Sequence, residues 1–160
     1  MNAIDRLVRQ HREMEASLKA ILEASGEERR KLFERSADVL MSHVLVEEQL
    51  FYPAVKAKRT EDILLESLEE HLSLKRIVAD LLALPVGDEH FEPKLHVLKE
   101  QAEHHHKEEE EHLFPKVKKL LSSDELNRLG DSMAESQAEL LEAAPRNLSI
   151  SQTQAAAPLR

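Results

Sequence analysis

His104-His105-His106-Lys107-Glu108-Glu109-Glu110-Glu111-His112-Leu113-Phe114-Pro115 sets four His and four Glu within nine residues, then closes on an apolar pair and a Pro. A His and a Glu four apart lie on one helix face, one turn above the other, so both can point at the same ion. Three such pairs occur here: His104 with Glu108, His105 with Glu109, and His106 with Glu110. The apolar phase of the helix selects among them. Leu98, Ala102, Leu113, Val117 and Leu120 mark the inward stripe, and His105 and Glu109 continue it by steps of three and four. A His and a carboxylate on the inward face of a helical domain need a partner, because an unpaired buried charge is too costly to keep. A metal ion meets that need.

The pattern occurs twice. His43-Val44-Leu45-Val46-Glu47-Glu48-Gln49-Leu50-Phe51-Tyr52-Pro53 repeats it, with His43, Glu47, Glu48 and Pro53 each 62 residues before His105, Glu109, Glu110 and Pro115. The helices that precede the two copies are alike too. His11 is followed by Leu18, Ile21 and Leu22; His71, 60 residues on, is followed by Val78, Leu81 and Leu82. The chain therefore reads as two copies of a helical hairpin.

Composition agrees. Only 3 Gly and 3% aromatic residues, in a core of Leu, Ile, Val and Ala, favour helix over sheet. At 160 residues the chain is long enough for a core of its own. The net charge of -9 comes without a basic stripe, which argues against nucleic acid as a partner. The absence of Cys removes disulfides and thiolate sites, so a metal must bind through imidazole and oxygen. No apolar run approaches the roughly 18 residues of a membrane span, and no leader pattern opens the chain. A soluble cytoplasmic protein, with no membrane partner, is the expectation.

In chain order, the first helix is predicted over about 2–24, with Ile4, Leu7, Val8, His11, Met14, Leu18, Ile21 and Leu22 as its stripe. Ser25-Gly26 stops it. The second follows from about Glu27 and is loosened at Pro53. Thr60-Glu61-Asp62 caps the third, whose stripe runs from Ile63 to Leu82 through His71. Leu84-Pro85-Val86-Gly87-Asp88 is a break, and the fourth helix runs from 88–92 to about Leu121. Ser122 and Glu125 form a capping box for a shorter fifth helix, about 124–143. After Pro145 the apolar period is lost, so 145–160 reads as a disordered tail. The expected fold is all-α: an up-down-up-down four-helix bundle over 1–121, a C-terminal helix over 122–144 packed on it and dispensable for the site, and the tail.

Each long helix carries one His at mid-stripe: His11, His43, His71 and His105. The second and fourth add Glu47 and Glu109. Taken singly, His11 or His71 is better read as a hydrogen-bonded core histidine. Four at matching heights, two with Glu at i+4, reverse that reading and predict six metal ligands. Two His for each of two metals, with both Glu bridging, suits iron, with manganese or zinc possible. Glu48 and Glu110 either support the ligands or sit in solvent. His104, His106 and His112 are expected at the surface, with His112 near the site; His90 and His96 are uninvolved. Tyr52 falls off the ligand face and reads as packing.

The set His11, His43-x-x-x-Glu47, His71, His105-x-x-x-Glu109 resembles the hemerythrin family in its bacterial cation-binding-domain form, over roughly 1–121. The resemblance implies an oxo- or hydroxo-bridged pair of iron ions in a four-helix bundle, held by those six residues. It departs at two points. The oxygen carriers of the family have a further His one turn after the third helix's ligand, where this chain has Lys75, which reads as a boundary lysine whose ammonium reaches water. They also use an Asp at i+5 where this chain has Glu109 at i+4. That points away from plain oxygen carriage, and towards a protein that binds or consumes a small oxidant (O2, H2O2 or NO), with peroxide dismutation as the enzymatic version. An iron or oxygen sensor, or a metal buffer, is the alternative; a structural bundle with incidental zinc is the third.

Overall fold

The computed structural model describes residues 1–160, and every regular element in it is helical. Helix α1 spans Ala3–Glu23, capped by the Asn2 side chain, which accepts from the Asp5 N–H at 2.9 Å. Gly26 turns the chain with a φ of 58°, in the left-handed region that suits glycine. Helix α2 (Gly26–Val46) then runs straight into a π-turn, Glu47–Phe51, and the short α3, Tyr52–Ala54. Helix α4 covers Glu61–Ala83. Thr60 sits at its N-cap position as expected, but its hydroxyl turns back to donate to the Val55 carbonyl at 2.8 Å and accept from the Ala57 N–H at 2.9 Å. It fastens the preceding loop instead of capping the helix.

Helix α5 (Phe91–Glu108) enters a second π-turn, Glu109–Leu113, and continues as α6, Phe114–Leu120. Each π-turn is closed by a bond five residues back, from the Tyr52 N–H to the Glu47 carbonyl and from the Phe114 N–H to the Glu109 carbonyl. The residue that closes each, Tyr52 or Phe114, stands directly before Pro53 or Pro115. Proline lacks an N–H and its ring clashes with the carbonyl four residues earlier. A widened turn relieves both problems without ending the helix.

Helix α1 packs on α2 and α5, α4 packs on α5, and α2 meets α4. The apolar interior is split into two clusters. One gathers Ile4, Leu7, Phe51, Tyr52, Leu64, Leu113 and Phe114; the other gathers Met14, Ile21, Phe33, Leu74, Val78, Phe91 and Leu98. A polar layer divides them, since His11 lies between Leu7 and Met14, and His71 between Leu68 and Leu74. Each fully buried Leu, Ile or Phe contributes about 1.5–3 kcal/mol, so the apolar ends can carry the unfavourable burial of the layer between them.

Helix α7 (Ser123–Glu142) opens with the expected capping box: Glu125 N–H to Ser122 Oγ at 3.1 Å, and Ser122 N–H to Glu125 Oε2 at 2.7 Å. It packs on α1 and α2. Gly130 makes that packing possible, because a Cβ there would stand 2.3 Å from the Met1 carbonyl oxygen.

The expectation of a disordered tail is corrected. Residues Pro145–Asn147 form a 3-10 turn and Leu148–Ser151 a short helix, α8. The missing apolar period is replaced by discrete anchors: Arg146 bonds Asp38 at 2.8 Å, Ser149 is fully buried, and Ala156, Ala157 and Leu159 rest on the first apolar cluster. No helix is long and apolar enough to cross a membrane.

Candidate metal centre

The six residues predicted from the sequence meet in the polar layer, all of them buried. His43 comes from α2 and Glu47 opens the first π-turn; His105 comes from α5 and Glu109 opens the second. His11 and His71 face them from α1 and α4. Glu47 Oε1 lies 3.2 Å from His43 Nε2 and 3.2 Å from His71 Nε2. Glu109 Oε1 lies 3.2 Å from His11 Nε2 and 3.5 Å from His105 Nε2. Each carboxylate thus stands between imidazoles of two helices.

The other nitrogen of each ring decides what the inward one can do. His11 Nδ1 meets Glu110 at 2.8 Å and His71 Nδ1 meets Glu48 at 2.8 Å. His43 Nδ1 meets Gln10 Oε1 at 2.8 Å and His105 Nδ1 meets Glu70 at 2.7 Å. A carboxylate or an amide oxygen only accepts, so each Nδ1 carries a proton and Nε2 is the nitrogen that each ring presents inward to an ion. Outer partners of this kind fix the tautomer and orientation of metal-binding histidines. The hairpin repeat supplies them in pairs: Glu48 with Glu110, and Gln10 with Glu70 directly before His11 and His71. Glu48 and Glu110 therefore support the rings. Gln10 and Glu70 escaped the reading of the sequence, although the 60-residue repeat that matches His11 to His71 also matches them.

Most of the inward atoms lack hydrogen-bond partners. His11 Nε2, His43 Nε2, both oxygens of Glu47 and Glu109 Oε1 are buried and unbonded, and His71 Nε2 faces His105 Nε2 at 3.1 Å. Leaving such groups dry costs about 1–3 kcal/mol each, and more where they are charged. Within the His11, His43, Glu47, Glu109 set the ligand atoms all lie within 4.8 Å of one another, and so do those of Glu47, His71 and His105. The donor set therefore fits cations. Electrostatics agree. Burial opposes a charge on His105, yet Glu109, Glu47 and Glu70 hold its pKa well above the usual imidazole value. Burial, with the charge of Glu47 added, lifts the Glu109 carboxyl. Burial also lifts Glu47, but the charge of His43 and the neighbouring Glu109 and His105 overcome it and hold that carboxyl well below the usual range. The layer attracts positive charge.

Three sequence readings are corrected. Tyr52 is not packing alone: its hydroxyl donates to Glu109 Oε2 at 2.8 Å and lies 3.2 Å from His71 Nε2. His106 is not at the surface. It is buried, stacks on His11 with ring centroids 3.9 Å apart, and shares a third possible metal-binding set with His11 and His43. Its Nδ1 is held by Glu15 at 2.8 Å, and burial with the neighbouring His11, His43 and His105 pushes its pKa far down, so it is a neutral ring. Lys75 does not reach water: it is buried and bonds Glu48 at 3.0 Å. His90, His96, His104 and His112 are exposed, His112 pairing only with Glu108 at 3.8 Å.

Comparison with known proteins bears on this layer. A search of curated proteins finds no match. A crystal structure of a hemerythrin HHE cation-binding domain-containing protein from Mycobacterium kansasii superposes with a TM-score of 0.80, at 26% identity, covering 96% of this chain and 95% of that one. The family model described as hemerythrin HHE cation binding domain matches residues 2–117, a span that holds all six inward His and Glu and ends just past the second π-turn. By fold, by the doubled His-x-x-x-Glu and by that match, the chain belongs to the hemerythrin HHE cation-binding domain family.

Proposed function

We propose that the chain is a di-iron protein that binds or reacts with a small oxidant: O2, H2O2 or NO. The four long helices are read as an up-down-up-down bundle, with His11, His43, Glu47, His71, His105 and Glu109 as the ligands. The observation that carries this is the set of buried inward His and Glu atoms from four helices, most of them unpartnered, with every ring already fixed through its Nδ1. Imidazole with carboxylate and no sulfur suits iron, with manganese or zinc as competitors. Iron so held would supply redox and Lewis-acid chemistry.

The chain's own residues supply the rest. Glu110, Gln10, Glu48 and Glu70 hold a proton on Nδ1 of the four rings and keep Nε2 aimed inward. Tyr52 holds one oxygen of Glu109 and leaves Oε1 free, so the two carboxylates are not equivalent. His106 adds a fifth inward imidazole beside His11 and His43, which takes up the role that Lys75 lacks on α4, but on the opposite side of the layer.

The test is metal content per chain after iron loading, together with near-ultraviolet oxo-bridge absorption and steady peroxide consumption. About two iron ions per chain are expected, with Glu109→Ala and Glu47→Ala each losing at least one. Full metal content in both variants would sink the assignment. Peroxide turnover separates an enzyme from a sensor or a metal buffer.

A further inference from the structure

The hairpin repeat supports His11 and His71 alike, yet one support is open and the other covered. Glu110, which bonds His11, keeps 25% of its side chain exposed and meets Arg12, which is 56% exposed. Glu48, which bonds His71, is 6% exposed and meets Lys75, which is 2% exposed. A buried ion pair does little better than break even against an apolar pair of the same size, so stability alone does not account for hiding this one.

The cover is the end of the chain. Between the Lys75–Glu48 pair and the C-terminal residues lies a cavity of about 420 Å³, with Gln152, Gln154, Ala156 and Pro158 on its outer wall. Arg76, the neighbour of Lys75, donates to the Thr153 carbonyl at 2.8 Å. At the far end Arg146 grips Asp38 at 2.8 Å and Glu34 at 3.3 Å, and Leu159 rests on the apolar cluster that contains Tyr52. The segment is thus fastened at both ends and tied at Thr153, with the cavity beneath it.

We propose that residues 145–160 are a strap over a port on the His71 side of the layer: seated, it keeps bulk water and small polar solutes off the Lys75–Glu48–His71 chain, and lifted, it opens the cavity onto that chain. The exclusion at Lys75 stands on the protein alone; its effect on a bound metal rests on the proposed function. With water kept from one side, exchange with solvent is left to the His11 side, where Glu110 and Arg12 are open.

Lys75 reports on the strap directly. The full-length protein is treated with a water-soluble acetylating ester, and labelling of Lys75 is followed by mass spectrometry against Lys94, whose side chain is 40% exposed. Lys75 should label at least tenfold more slowly than Lys94. Arg146→Ala, which removes the side-chain grip at one end, and Leu159→Asp, which unseats the other, should each raise Lys75 labelling severalfold while Tyr52 stays protected from acrylamide quenching. Equal labelling of Lys75 and Lys94 in the unaltered chain overturns the strap, as does an unchanged Lys75 rate in both variants. Lys75 labelling that rises only together with Tyr52 quenching reports opening of the whole core and overturns it equally. In a second arm, Co(II)-loaded protein should lose metal to a chelator at least tenfold faster in the two variants. A chain that takes up no Co(II) counts against the metal reading and leaves the Lys75 result to decide the strap.

Discussion

Tyr52 and Phe114 occupy equivalent places in the repeat, 62 residues apart, and each stacks beside an inward imidazole: Tyr52 on His71 with centroids 5.4 Å apart, Phe114 on His11 at 6.0 Å. Only Tyr52 has a hydroxyl, and Glu109 Oε2 accepts from it. Removing that donor leaves a buried carboxylate oxygen bare, at a cost of about 1–3 kcal/mol. Tyr52→Phe should therefore destabilise the metal-free protein by about that amount in urea unfolding, while metal content holds, because Glu109 Oε1 is untouched. An unchanged unfolding midpoint would mean that water replaces the hydroxyl and that the bond carries no structural weight. His106 teaches a different lesson at the same scale. It continues the inward series from Ala102 by a step of four, as His105 does by a step of three, so the signal was in the spacing. The sequence reading admitted one of the two because it assumed a narrow stripe. Helix α5 packs against both α1 and α4, and its buried arc is wide enough for His106 to reach Glu15 on one side and His105 to reach Glu70 on the other.

The two π-turns explain why Tyr52 was misplaced by its spacing from Glu47. At about 100° per residue, position i+5 of an α-helix lies roughly 140° from position i. A turn closed five residues back brings i+5 round to the same face, which is where Tyr52 stands. Pro53 and Pro115 were visible in the sequence as helix disturbances, but a proline alone does not say whether the helix kinks, ends or widens. A π-turn is an α-helical turn with one residue added, which yields a test. Deleting exposed Gln49 together with Pro53→Ala should restore a plain α-turn, keep Tyr52 above Glu47 at i+4, and leave a folded protein that still takes up metal. Deleting Arg35, exposed in the regular part of α2, has no added residue to remove. It should turn the two halves of that helix by about 100° relative to each other and abolish metal uptake. Circular dichroism and metal content distinguish the two; loss of uptake in both would show that the widened turn itself is required.

Across the whole molecule, the helices and the six inward residues could be read because the repeat states them twice, and two copies in register are hard to produce by chance. Part of what breaks the symmetry could not be read that way, since it comes from segments outside the repeat. The 145–160 segment is held by single anchors that leave no periodic trace, and α7, which reads as a separate addition dispensable for the site, reaches the inner layer through one side chain. Gln137 of α7 accepts from Gln10 Nε2 and donates to Ser42 Oγ at 3.1 Å. That contact orients the Gln10 amide, so that its oxygen and not its nitrogen meets His43 Nδ1. Glu70, the repeat mate of Gln10, has two accepting oxygens and needs no such guide. Gln137→Ala should therefore weaken metal binding on the His43 side, by roughly the 10–100-fold that loss of an outer partner costs, and leave the His105 side alone. In a Co(II) titration one of two binding steps should shift. Adding Gln10→Glu to Gln137→Ala should recover it, because a carboxylate presents an acceptor either way round. A uniform loss of both steps would mean that α7 only stabilises the fold, and no loss at all would restore the expectation that the site is independent of it.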